Sequence, residues 1–181
     1  MIYFLLAAVA VLATLALFFI EQFFQVLFAG YAPFYSTHKK ALKKIVANLN
    51  FKDNCIIYEL GCGNAGFLRL IEKQHPEVKQ LVGVEYYWWP FLLAKIQLAL
   101  RGSKIKIVRR NLFDINLKNV NIIYCYLNQP MMDKLEKKFQ QECQSGTQIV
   151  SYQYPLKNHS PFKVLEVASG RQQRKIYFYS W

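Results

Sequence analysis

A short glycine-rich stretch carries the residues best suited to chemistry. Residues 58–66 read Tyr-Glu-Leu-Gly-Cys-Gly-Asn-Ala-Gly. The apolar run before this stretch predicts a buried strand, and the apolar spacing after it predicts a helix. Gly61 and Gly63 lack Cβ atoms, so the backbone can turn sharply and a ligand can touch it. A strand, a glycine turn and a helix in this order are typical of proteins that bind nucleotide-like ligands.

Two carboxylates narrow the choice of ligand. Glycines 61, 63 and 66 also match the dinucleotide fingerprint, so NAD is one candidate. Glu59, two residues before the first glycine, would repel a pyrophosphate but suits the ammonium and sulfonium of S-adenosylmethionine. Glu85 ends the next apolar strand and can accept hydrogen bonds from both hydroxyls of a ribose, which suits either ligand. We therefore favour S-adenosylmethionine over NAD. The alternative is that Glu59 and Glu85 are simply solvated residues at strand ends and bind no ligand.

The N-terminus predicts a membrane anchor. Residues 1–20 contain no charge, glycine or proline, and as a helix they would span about 30 Å, the thickness of a bilayer core. No Lys or Arg precedes Lys39, which argues against a cleaved signal peptide, and we favour the anchor over a buried helix. All 23 Lys and Arg residues follow the anchor, so the positive-inside rule predicts a single-pass protein with its C-terminal part on the cytoplasmic side.

Composition limits the other partners. The net charge of +12 raises the question of nucleic acid, but the cations are scattered and no aromatic residues interleave with them in a recognisable motif. We expect no nucleic-acid partner and favour an anionic membrane, with RNA as the open alternative. The four cysteines and three histidines do not cluster, so neither a metal site nor a disulfide framework is predicted.

Strand-like and helix-like segments alternate after residue 50, which predicts an α/β domain with a parallel sheet and helices on both faces. Two strand-like runs around Ser169-Gly170 predict a closing hairpin and seven strands in all. We predict an anchor at 1–28, a linker or substrate-side segment at 29–37 and a domain at 38–181. The predicted strands are 55–59, 81–85, 105–109, 122–127, 147–152, 163–168 and 175–180. The predicted helices are one capped by Ser36 or Thr37 and ending near Leu49, then 66–74, 90–100 and 131–141.

Taken together, these residues resemble class I S-adenosylmethionine-dependent methyltransferases, the seven-strand Rossmann-like group. With the anchor included, the chain is similar to the single-pass membrane lysine methyltransferases of the mitochondrial adenine nucleotide translocase and ATP synthase c subunit, and to their bacterial relatives. The similarity runs from about Pro33 to Tyr179. Its motifs are Glu59-Leu60-Gly61-x-Gly63, Gly83-Val84-Glu85 with Trp89, Arg110-Asn111-Leu112-Phe113, Tyr126-Leu127, Gly146-Thr147-x-Ile149-Val150-Ser151 and Pro155-Leu156.

Three single positions and one short segment depart from the family pattern. Glu59 and Asn111 stand where the family usually has Asp, and Ala65 stands where it has its third motif glycine. The Ala65 methyl group is expected to tighten the donor pocket or to move its contact to Gly66. Residues 128–130 place their proline differently from the family. The family's residue roles therefore carry over least to the entrance where the substrate would bind.

The resemblance implies an enzyme that uses S-adenosylmethionine to methylate lysine on a membrane-protein partner. The alternatives are a methyltransferase of a small lipophilic substrate such as a quinone or lipid, a non-catalytic binding module, and an NAD-dependent reductase. The expected location is the bacterial inner membrane, or the mitochondrial inner membrane in a eukaryote. We expect catalytic roles at the substrate side of the site for Tyr126, Asn128 and Tyr35. The expected donor-binding residues are Glu59, Leu60, Gly61, Cys62, Gly63, Gly66, Glu85, Tyr86, Asn111 and Leu112.

Overall fold

The computed structural model describes residues 1–28, 36–52, 54–169 and 172–181. The chain divides into two units, Met1–Pro33 and Phe34–Trp181. The first unit contains helix α1, Ile2–Phe28, in which the stretch Ile2–Ile20 is long and apolar enough to cross a membrane and is not buried.

The second unit is built on one seven-stranded sheet with the order β3-β2-β1-β4-β5-β7-β6. The first five strands are parallel, and β7 runs antiparallel between β5 and β6. The strands are β1 Ile56–Leu60, β2 Gln80–Glu85, β3 Lys106–Arg109, β4 Ile122–Cys125, β5 Gln148–Tyr152, β6 Lys163–Ser169 and β7 Gln172–Ser180. The helices are α2 Lys39–Val46, α3 Gly66–Gln74, α4 Trp88–Ala99 and α5 Gln129–Glu142. This architecture confirms the predicted fold class.

Burial explains why the central strands read as continuous apolar runs. All four residues of β4 are buried, because parallel strands in the middle of a sheet are covered on both faces. Helices α2 and α3 bury one apolar side each in the same core, for example Ile45 and Ile71. Cys55 and Cys125 are buried in this domain.

Local chemistry shifts several predicted boundaries. The predicted cap of α2 at Ser36 or Thr37 is wrong: His38 is the N-cap, and its ring accepts from the backbone N–H of Lys40. The Thr37 hydroxyl instead lies 2.5 Å from the hydroxyl of Tyr124 in the middle of the sheet. Helix α2 also ends at Val46, three residues before the predicted Leu49.

The outer strand β3 has only four residues. Its first and last residues, Lys106 and Arg109, are both exposed. Short edge strands with exposed cations are a common way of limiting unwanted strand pairing.

Candidate functional site

The carboxyl ends of the parallel strands form the candidate site. Strands β2 and β3 are added on one side of β1, whereas β4 and the later strands lie on its other side. The strand order therefore reverses between β1 and β4. Open α/β sheets bind ligands at such a point. The backbone N–H groups of Gly61 and Cys62 donate to the Val84 carbonyl at 2.9 and 3.0 Å. The N–H of Arg110 donates to the Glu85 carbonyl at 3.1 Å, so the tips of three strands are tied together.

The glycine turn contains three residues in the left-handed region. Gly61 has φ +72°, Gly63 has φ +49° and Ala65 has φ +55°. A Cβ atom on Gly61 would lie 2.8 Å from Cδ2 of Leu127, so this glycine allows the residues after β4 to pack against the turn. Ala65 adopts a conformation that costs an L-residue about 1–2 kcal/mol. Its methyl group is fully buried among apolar side chains rather than exposed towards the crevice.

Glu85 organises the glycine turn from the tip of β2. One carboxylate oxygen accepts from the N–H of Gly63 at 2.9 Å, and the other accepts from the N–H of Tyr87 at 3.0 Å. Burial raises the pKa of Glu85, and these backbone donors oppose that rise. Because each carboxylate oxygen has two lone pairs, both oxygens keep capacity to accept from a ligand.

Glu59 is buried at the tip of β1 and points its carboxyl group at the start of helix α3. One oxygen accepts from the N–H of Leu68 at 3.3 Å, and this contact lies in the first turn of the helix. Burial raises the pKa of Glu59 to about 8, while the backbone N–H groups of Leu68 and Phe67 lower it. Glu59 therefore stabilises the turn-to-helix junction and takes up a proton readily.

The two predicted asparagines are both helix caps. The Asn111 Oδ1 accepts from the N–H of Phe113 and caps the short 3₁₀-helix Leu112–Asp114 after β3. The Asn128 Oδ1 accepts from the N–H of Met131 and caps α5 after β4. Both still lie at the carboxyl edge of the sheet, where the sequence predicted them.

The remaining predicted residues differ in exposure. Tyr86 is exposed, whereas Leu60, Cys62 and Leu112 are buried beneath the site. Tyr35 lies outside the described residues.

A polar cluster that sequence reasoning missed surrounds the predicted Tyr126. Its hydroxyl donates to Oε1 of Gln153 at 3.3 Å and accepts from Nη1 of Arg174. Gln153 follows β5 with φ +77°, a conformation that non-glycine residues adopt mainly at tight turns and functional sites. The Nε of Arg174 is buried, and no hydrogen-bond partner for it occurs in the described part of the chain. We name Tyr126, Gln153 and Arg174 the tyrosine cluster.

A first prediction concerns the floor of the site. A Cβ atom on Gly83 would lie 2.6 Å from Cδ1 of Ile107 and 2.7 Å from Sγ of Cys62. We expect Gly83→Ala to destabilise the fold by about 1–3 kcal/mol in urea unfolding, because overpacking displaces the glycine turn. The control is Gly66→Ala, whose Cβ would meet only the Asn64 side chain at 3.3 Å and Leu42 at 3.6 Å. As a helical position it should be neutral or gain up to about 1 kcal/mol. Equal losses in both variants would contradict the packing argument.

Comparisons with known proteins agree with this geometry. A family model described as the ANTKMT methyltransferase domain matches residues 59–163. A protein-lysine N-methyltransferase from Saccharolobus islandicus is 23% identical over 154 residues, which cover 84% of this chain and 95% of the relative.

Solved structures share the fold. An RNA methyltransferase from Salinibacter ruber in complex with S-adenosyl-L-homocysteine superposes with a TM-score of 0.73 at 16% identity, over 81% of this chain and 93% of that one. The B. subtilis tRNA methyltransferase TrmK superposes with a TM-score of 0.67 at 11% identity, over 80% of this chain and 66% of that one.

Proposed function

The chain belongs to the ANTKMT methyltransferase domain family and is an S-adenosylmethionine-dependent methyltransferase, and from this premise we propose that it methylates a lysine of a membrane protein. The observation that carries the choice of lysine is the similarity to a protein-lysine N-methyltransferase, which spans 84% of this chain and 95% of that relative. The apolar stretch Ile2–Ile20 supports an anchored enzyme, which would confine the search for a substrate to the plane of the bilayer. The distribution of Lys and Arg supports a catalytic domain on the cytoplasmic side.

The residues at the strand tips fit this donor. Glu85 retains acceptor capacity for the two ribose hydroxyls while it holds Gly63 and Tyr87 in place. Glu59 and Glu85 together offer carboxyl groups to a positively charged ligand, and the glycine turn leaves room for close backbone contact. When bound, the donor supplies a methyl group already activated by its sulfonium.

The protein must present the lysine as a neutral amine and hold it in line with the methyl group. A free lysine has a pKa near 10.4, so most of it is protonated at neutral pH. The tyrosine cluster suits this task. The Tyr126 hydroxyl donates its proton to Gln153 and accepts from Arg174 with one lone pair. Its second lone pair is left to accept a hydrogen bond from an incoming amine. The Arg174 guanidinium nearby disfavours a second cation, so it lowers the pKa of that amine.

We expect Tyr126→Phe to lower kcat about tenfold, because one hydrogen bond that orients the amine is lost. Arg174→Met should lower kcat at neutral pH and shift the pH profile of kcat upwards, because the amine then loses its proton only at higher pH. The measurement is methyl transfer to a lysine substrate across a pH series.

The control is Lys175→Met, which removes the neighbouring cation on β7. Lys175 is half exposed and lies 3.9 Å from Glu166, away from the Tyr126 hydroxyl. It should leave the pH profile unchanged. An Arg174→Met enzyme with reduced activity and an unmoved profile would contradict the role assigned to Arg174.

The acceptor is identified by comparing membrane proteins from a deletion strain with those of its parent. Mass spectrometry should find a methyl-lysine that disappears in the deletion strain and returns when the wild-type chain is restored, but not when the Glu85→Ala variant is. Loss of a methylated quinone or lipid with all protein marks intact would favour the small lipophilic substrate instead. Calorimetry with S-adenosylmethionine and with NAD tests the donor separately, and heat with NAD alone would overturn the proposal.

A further inference from the structure

Helix α4 is apolar on two opposite faces. Ala94 and Leu98 are buried on the face that packs on β2 and β3. The opposite face presents large apolar side chains to solvent. Their exposed fractions are 53% for Trp88, 51% for Leu93, 48% for Ile96 and 84% for Leu100. Helices on the surface of a water-soluble domain normally place polar residues on that face, so this arrangement needs an apolar neighbour.

The chain segment that contains the exposed face carries only positive charge, and a carboxylate from another element, Glu72, is bound to Ser103 and Lys104 beyond the helix. Between Glu85 and Asp114 the chain has six Lys or Arg residues and no Asp or Glu. Lys95 lies on α4 itself, with its Nζ 5.7 Å from the Phe91 ring centroid. Arg109 at the end of β3 lies over the Trp88 ring, with its Cζ 5.3 Å from the centroid. Arg101 is exposed two residues beyond the end of the helix.

We propose that the outward face of α4 lies in the headgroup layer of an anionic bilayer. Trp and Leu side chains partition to the boundary between headgroups and acyl chains, and flanking Lys and Arg side chains reach the lipid phosphates. Each such cation near an anionic surface favours the membrane-contacting state about fivefold. The inference goes beyond the proposed function, because it concerns the surface of α4 and not the methyl acceptor.

Two features favour lipid over a protein partner as the occupant. The face combines exposed indole and aliphatic groups with a chain segment whose charged residues are all cations, which suits an extended anionic surface. The same chain also carries a helix long and apolar enough to cross a bilayer. Contact with lipid covers this face without the need for a partner protein.

The three tryptophans of the chain make the test direct. Trp88 and Trp89 belong to α4, while Trp181 stacks on His159 at 4.1 Å after the last strand, on the far side of the sheet from β3. The full chain is reconstituted into phosphatidylglycerol vesicles that contain lipid with a doxyl group near the headgroup. The Trp181→Phe variant reports α4, and the double variant Trp88→Phe/Trp89→Phe reports Trp181. We expect strong quenching and a blue-shifted emission in the first variant and neither in the second.

Charge reversal tests the role of the cations. Lys95→Glu/Arg101→Glu in the Trp181→Phe background should lose most of the lipid quenching. The matched control is Lys134→Glu/Lys137→Glu on α5, where both lysines are exposed and the net charge changes equally. That control should keep the quenching. Quenching of α4 by aqueous iodide but not by lipid overturns the inference. Protection from both quenchers also overturns it, because the face would then be covered by protein, either a partner or a second copy.

Discussion

Replacing Glu85 with alanine is expected to weaken the binding of S-adenosylmethionine about 10- to 100-fold. The carboxylate loses its hydrogen bonds to the ligand hydroxyls, and bonds to a charged group contribute about 1.5–3 kcal/mol. The glycine turn also loses its support, because the N–H groups of Gly63 and Tyr87 both donate to this side chain. Isothermal titration calorimetry of the detergent-solubilised chain measures the change.

Glu166→Ala is the matched control for Glu85→Ala. Glu166 lies on β6 with 57% of its side chain exposed. Its replacement therefore removes a carboxylate far from the glycine turn. Its donor affinity should stay within about twofold of the wild type, in keeping with the small effects of exposed ion pairs. Urea unfolding of both variants separates folding from binding. A Glu85→Ala protein with lowered stability and unchanged donor affinity would show that Glu85 supports only the turn.

The second large effect is a dependence of stability on pH that originates at Glu59. Burial raises the pKa of Glu59 to about 8 in the folded protein, whereas the carboxyl of an unfolded chain ionises near 4.5. Between these values the folded state binds the extra proton, so the free energy of unfolding must fall as pH rises from about 5 to about 8. The limiting slope is about 1.4 kcal/mol per pH unit, and the stability is fully present below the lower value.

Glu59→Gln is expected to remove the Glu59 contribution to this slope, because an amide still accepts from the N–H of Leu68 but does not ionise. The contribution of Glu85, whose pKa burial also raises, remains in both proteins. The measurement is urea unfolding of wild type and variant across that pH range, with Glu166→Gln as the control that keeps the slope. Donor affinity supplies a second measurement. A cationic ligand beside Glu59 favours the ionised carboxyl, so wild-type affinity should rise with pH up to about 8 while the variant stays flat. Parallel pH curves for the two proteins would refute this account.

Much of the domain could be predicted because its signals are local. Buried parallel strands appear as apolar runs, and helix α3 begins and ends at the predicted residues because glycine precedes its apolar periodicity. The glycine turn and Glu85 could be placed at neighbouring strand tips for the same reason, since alternating strands and helices determine which ends meet.

Other features depend on partners that no local pattern reveals. The contact of Glu59 with the first turn of α3 depends on how the turn folds back, and a strand-end glutamate has the same sequence signature in either orientation. Asn111 and Asn128 were predicted from their positions at strand ends, but their capping bonds depend on where the next helices begin. Gln153 follows β5 and Arg174 lies on β7, and both meet Tyr126 only because β7 inserts beside β5.

The outer strand β3 has a consequence for how molecules of this protein meet. Two copies approaching along this edge would bring their Lys106 and Arg109 side chains face to face over only four residues of backbone. Electrostatic repulsion would then oppose the few inter-strand hydrogen bonds that such a short edge can form. The exposed cations of β3 therefore disfavour edge-to-edge association of copies of this domain, the kind of contact from which fibrils grow.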